Sequence, residues 1–110
     1  MGHRKDKLQG TLDLLVLRTL AAGGAMHGTS IADRISETSD EVLRVEEGSL
    51  YPALHRMEEA GWVKAEWKAS DNNRRARYYK VTAKGRRRLQ DVERHWTAHV
   101  DAVMRVLKLA

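Results

Sequence analysis

The sequence predicts a mainly α-helical chain interrupted by one β-hairpin, and three observations carry that expectation. Apolar residues recur at helical spacing in residues 8–21, 50–60 and 89–107. Between the last two stretches the period drops to two, in "VKAEWK" (63–68). Turn-forming "SDNN" (70–73) then separates this segment from a second β-rich run, "RYYKV" (77–81). At 110 residues the chain has the size of one domain, or of a small domain with an appended helix.

Each element has its own signal. In residues 8–21, Leu8, Leu12, Leu15 and Val16 form one stripe, and Leu14, Leu17 and Ala21 fall on nearly the opposite side. A helix apolar on two sides is expected to be buried on two sides. Gly23 and Gly24 end it. A second helix is expected to start near His27–Gly28 and to turn Ile31, Ala32 and Ile35 inward, and "VLRV" (42–45) reads as a short extended piece. The third helix carries the chain's one proline. Because proline lacks an N–H and clashes with a preceding turn, Pro52 predicts a helix start with Ser49 as N-cap, running over about residues 50–60, with Gly61 at the C′ position. In the hairpin (62–81), Val63, Ala65 and Trp67 should face the core and Lys64, Glu66 and Lys68 the solvent. From Thr82, a natural N-cap, a long helix carries Leu89, Val92, Trp96, Val100, Val103 and Leu107 as one stripe. That stripe and the surplus apolar face of the first helix (Leu14, Leu17) both need a cover, which a homodimer supplies. The division expected is residues 1–82 as a compact unit and 83–110 as a dimerisation helix.

Charge narrows the function. Residues 68–88 hold nine basic side chains against one acidic, more than the net +5 of the whole chain, so the remainder is net acidic. A basic segment on an otherwise acidic chain is a footprint for a polyanion. There are no cysteines, hence no disulfide framework and no thiolate metal site, as suits a reducing cytoplasm. Asp13 and Arg18 break the apolar run near the start, leaving nothing long enough for a signal sequence or a membrane span. The expected location is cytoplasmic, on the nucleoid when DNA is bound.

Three helices, a two-stranded hairpin and a further helix make the order of a winged helix-turn-helix. In that architecture the third helix reads base edges mainly through its N-terminal residues. Its inner face is Leu50, Ala53, Leu54 and Met57. The outward set is Ser49, Tyr51, Pro52, His55 and Arg56. His55 and Arg56 suit guanine O6/N7 or phosphate, the Tyr51 hydroxyl suits phosphate or, alternatively, the ring packs, and Pro52 suits a thymine methyl. Glu47 has the chemistry to accept from a cytosine amino group but would otherwise repel DNA, and it stays outside the set. Lys68, Arg74, Arg75 and Arg77 of the hairpin supply attraction to phosphates or the minor groove.

These segments resemble the PadR family of bacterial transcriptional regulators. "GSLYPALHRMEEAGWV" is similar to the family's recognition-helix signature, "RRARYYKVTAKGRRRL" to its wing and entry to the last helix, and "LDLLVLRTLA" followed by "MHG" to its first helix and the start of the second. Thr29 and Ser30 depart from the aromatic and acidic residues usual there, so no role passes to them. The short last helix resembles the small-chain branch. The resemblance implies a homodimeric repressor of an inverted-repeat operator, with the last helix packed against the partner's first helix. It also implies a small aromatic or phenolic effector, with Trp96 at the place where some relatives line a pore between subunits; a packing place in the dimer seam suits Trp96 better.

Other classes find less support. His95 and His99 stand at i, i+4 with Asp91 and Asp101 nearby, but two histidines without a third identified ligand in basic surroundings do not define a metal site. No glycine-rich loop follows a strand, and no Ser/His/Asp set or enclosed carboxylate pair is legible, so neither enzyme chemistry nor a cofactor is expected. A module that binds acidic protein partners through the hairpin is the alternative from a different class.

Overall fold

The computed structural model describes the backbone of residues 2–69 and 74–108, with side chains from Gly10 onward. The expected turn at 70–73 lies outside the described residues. The elements are α1 (Gly2–Gly23), β1 (Met26–His27), α2 (Gly28–Thr38), α3 (Glu47–Glu59), β2 (Val63–Ala69), β3 (Arg75–Val81) and α4 (Ala83–Leu107). The three strands form one antiparallel sheet in the order β1-β3-β2. The mainly helical architecture with a β-hairpin wing is therefore as the sequence predicts.

The core is one cluster. Val16, Leu17 and Leu20 of α1 meet Ile31 and Ile35 of α2, Leu50, Leu54 and Met57 of α3, Val63 and Tyr79 of the sheet, and Leu89 of α4. This corrects the two-stripe reading of α1. Its buried line is Asp13, Val16, Leu17 and Leu20, at i, i+3, i+4 and i+7, whereas Leu12, Leu14 and Leu15 are half-buried at its margins. Leu17 and Leu89 are enclosed within their own protomer, so neither has surface left for the dimer contact expected of it. Beyond Leu89 the core leaves α4. Val92 is half-buried, while Trp96, Val100, Val103 and Leu107 are exposed.

The helix ends follow their local chemistry. His27 caps α2, its Nδ1 accepting from the Ser30 amide at 3.3 Å. α3 closes with Gly61 at φ +82°, a left-handed value that costs glycine no steric strain. The Trp62 amide donates to Met57 O at 2.9 Å and the Gly61 amide to Glu58 O at 3.0 Å, the paired bonds of a Schellman closure. The start of α3 differs from expectation. Its N-cap is Glu46, in extended geometry and without a side-chain cap bond, and the helix runs from Glu47. Pro52 therefore lies in the second turn. Its missing donor falls opposite the carbonyl of Gly48, an exposed residue, so solvent can take the place of the lost bond. Residues 42–45 form no strand. β1 has no signal in the sequence: two residues are too short to show alternation, and it exists because Met26 and His27 pair with Tyr79 and Tyr78.

The junction into α4 is tight. The Thr82 hydroxyl accepts from the Gly85 amide at 3.0 Å and donates to Gly61 O at 2.6 Å, with Trp62 O at 3.1 Å. A Cβ added at Gly85 would run into the carbonyl oxygen of Trp62. Gly85→Ala is accordingly expected to lower unfolding stability by about 2–3 kcal/mol, the upper part of the range for overpacking, as read by urea denaturation. A loss below about 0.5 kcal/mol, the scale of an ordinary surface change, would show that α4 moves away freely.

Candidate nucleic-acid interface

α3 is anchored in the core along one face. One face is closed by Leu50, Ala53, Leu54 and Met57, all buried. The opposite face presents Ser49, Tyr51, Pro52 and His55, all exposed. His55 reaches Glu59 one turn on, at 2.6 Å, with both side chains largely in solvent. Such an exposed pair contributes little to stability and leaves the imidazole free to exchange partners. Tyr51 does two things at once. It is 41% exposed, yet its ring lies directly over Gly28 at the start of α2, where an added Cβ would come within 2.7 Å of it. Gly28 thus lets the ring lie flat and leaves its exposed edge on the outer surface.

Arg56 is not available as expected. Its two terminal nitrogens donate to Asp13 at 3.0 and 2.8 Å in a bidentate fork. The Asp13 side chain is 4% exposed and sits in the core line of α1. The hydrogen bonds to Asp13 hold the guanidinium above its ordinary pKa, against the opposing effect of burial, and the charge attraction adds to them. Arg56 therefore closes the fold, and the prediction that it reads bases is corrected. The sequence did carry a sign of this: an aspartate within an apolar helical line needs a cation, and only the fold says which one.

The wing divides by face. Register pairs Val63 with Val81, Ala65 with Tyr79 and Trp67 with Arg77 on the side that meets the core. Trp67, expected to be inside, is instead exposed, because the strands run past the core before reaching it. Arg77 donates to Glu58 of α3 at 2.6 Å and is half-buried, with its Nε buried and unpartnered. This corrects Arg77 as a free phosphate contact; it ties the wing to α3. Arg74 and Arg75 are exposed. On the other face Lys68 stands over the Tyr78 ring at 5.8 Å, near Lys64 and Lys80. Tyr79 is buried, and burial above all pushes its phenol upward in pKa; the Arg77 charge opposes this, whereas Glu58 and Tyr51 add to it.

Two hollows flank α1. The larger, about 770 Å³, lies between α1, residues 43–46 and α3, and includes Ser49 and Pro52. The smaller, about 370 Å³, lies between α1, the end of α2 and α4, with Leu14, Arg18, Ile35 and Trp96 in its wall. His95 donates from Nδ1 to the Asp91 carbonyl at 2.9 Å, and His99 lies beside Trp96 at 5.8 Å between ring centroids.

A core-anchored helix with an exposed polar N-terminal half, bound by an ion pair to an arginine-bearing hairpin, defines a winged-helix DNA-binding protein. Residues 16–91 match the model of the PadR-like transcriptional regulator family, and the chain belongs to that family. It is a transcriptional regulator and not an enzyme. Its fold is similar to that of a transcriptional regulator from Clostridium thermocellum, with TM-score 0.82, 25% identity, and coverage of 94% of this chain and 99% of that one. A PadR family regulator from Eggerthella lenta is 28% identical, with TM-score 0.75 and coverage of 99% and 93%. An uncharacterised protein of Lysinibacillus sphaericus is 25% identical over 93 residues, 84% of each chain.

Replacing Arg56 leaves a buried carboxylate without its cation. Arg56→Ala is expected to cost about 3 kcal/mol of stability, the lower end of the range for breaking a buried pair because the arginine side is partly exposed. His55→Ala should stay within about 0.5 kcal/mol, as surface changes do. Urea denaturation of both variants checks the contrast; equal, small losses would remove Arg56 from the fold's support.

Proposed function

We propose that the protein is a homodimeric repressor that binds an inverted-repeat operator through α3 and the wing. Residues 1–82 make the DNA-binding unit, and residues 83–110 dimerise it. One observation carries the reading. The lower half of α4 presents Trp96, Val100, Val103 and Leu107 on one line, with Met104 and Val106 beside it, each between 38% and 71% exposed in the single chain. A helix of 25 residues with an uncovered apolar stripe is half of an interface. A second copy supplies the matching stripe, and the half-buried Leu14 of α1 lies beside it. Two protomers related by a two-fold axis would present two recognition helices, which is the symmetry of an inverted repeat.

In this reading Ser49, Tyr51, Pro52 and His55 face the major groove, and Lys68, Arg74 and Arg75 supply attraction. The hollow beside Trp96 is the place for a small aromatic or phenolic effector, since a flat ring there has a flat ring to stack on. The protein then works in the cytoplasm, on the nucleoid when bound to DNA.

Two measurements test this. Sedimentation should show a dimer at micromolar concentration, and Val100→Glu with Val103→Glu should convert it to monomer. A wild-type chain that sediments as monomer would overturn the dimer. Selection from randomised duplexes should enrich an inverted repeat, and His55→Ala should then lose about 1–3 kcal/mol of discrimination against random DNA. A selection that enriches no repeat would favour a protein-interaction module instead.

A further inference from the structure

Trp67 has no part in the recognition helix, the core or the expected wing contacts. Its indole is 57% exposed toward the far end of β2, where its neighbours are two arginines and not the core. Alternation puts it on the sheet face of Val63 and Ala65, and register sets it opposite Arg77, with Arg75 on the diagonal. Both guanidiniums approach the ring, Arg75 at 5.5 Å and Arg77 at 5.9 Å from its centroid.

The two arginines are in different states. Arg77 is fixed to Glu58 of α3 with its Nε buried. Arg75 is exposed and has no carboxylate partner among the described residues. The chain of contacts therefore runs Glu58, Arg77, Trp67, Arg75: α3 holds one arginine, that arginine bounds the indole, and the indole holds the guanidinium of the other. A guanidinium resting on an aromatic ring keeps its edge donors while losing part of its rotamer freedom and hydration. With α3 in the major groove, the wing beside it meets the adjoining minor groove. There a narrow A·T tract concentrates negative potential that attracts arginine, and the guanine 2-amino group stands in the way at G·C pairs.

We propose that Trp67 and Arg75 form one composite minor-groove contact that selects A·T-rich sequence beside the recognition helix's site. The proposal rests on the chain binding DNA, and the test separates the two. Binding is measured by anisotropy, at one salt concentration, to three 20-base-pair duplexes of alternating A·T, I·C and G·C pairs. Inosine lacks the 2-amino group, so I·C shows the minor groove of A·T and the major groove of G·C. The wild-type dimer should bind A·T and I·C alike, and both about tenfold more tightly than G·C, the scale of one specific base contact.

Trp67→Ala and Arg75→Lys should each bring that ratio to within about twofold of unity, Arg75→Lys while keeping the charge. Both positions are exposed, and thermal melting by circular dichroism should show both variants folded. Ranking I·C with G·C, or a ratio that survives either folded variant, would overturn the composite contact and leave DNA binding standing. Failure of the wild type to bind any duplex would overturn both.

Discussion

The bidentate pair of Arg56 and Asp13 is the constraint on which the placement of the recognition helix depends. A carboxylate in the core line of α1 is a large liability unless it is fully compensated. The compensation comes from α3, at the one geometry in which a guanidinium fork meets both carboxylate oxygens. Apolar packing by Leu50, Leu54 and Met57 holds α3 against the core but tolerates small slides and rotations. A bidentate ion pair is directional and does not. α3 is thereby locked to α1 in both position and roll.

This changes how the positive charge is read. Of the arginines that composition offers to DNA, Arg56 closes the core and Arg77 ties the wing to α3, while Arg88 lies over the Trp62 ring at 4.8 Å. Ion pairing thus removes Arg56 and Arg77 from the count, and leaves Lys68, Arg74 and Arg75 exposed on the hairpin, Lys64 and Lys80 on the other sheet face, and Lys84, Arg86 and Arg87 exposed at the start of α4.

Most of the fold was legible because its signals are local. The 3.6 and 2.0 periods, Thr82 as a cap, Gly61 as a stop and the apolar face of α3 each depend on neighbouring residues, and the structure reproduces them. What was illegible depends on partners distant in sequence. Asp13 and Arg56 are separated by 43 positions, so neither shows its partner. β1 exists only through β3. The start of α3 differs because proline chemistry places Pro52 in a first turn, whereas the fold accepts it one turn later, where the lost bond opens to solvent. Within the site, the exposed set of Ser49, Tyr51, Pro52 and His55 followed from helical phase alone. Arg56 and Arg77 share that exposure pattern in sequence and differ only by the carboxylate each one meets. Trp67 fell on the alternating face but beyond the core's reach, a limit set by how far the strands project.

The junction between wing and α4 constrains how α3 and α4 sit relative to one another. Thr82 ties the start of α4 to the end of α3: its amide donates to Trp62 O at 3.0 Å, and its hydroxyl donates to Gly61 O and accepts from the Gly85 amide. Gly85 allows the helix to touch the Trp62 backbone, and Arg88 clasps the ring of the same residue. Trp62 itself follows directly on the Schellman closure of α3. Recognition helix, wing and α4 therefore meet at one residue, with no glycine-rich or proline-rich linker between them. A flexible linker would let two DNA-binding units adapt to varied spacings. A junction this tight instead transmits the angle of α4 to α3; in the proposed homodimer the packing of two α4 helices would then set the separation of two α3 helices. In the proposed homodimer, half-site spacing would be a property of the α4 interface, and a change in its packing would alter DNA affinity without touching the residues of α3.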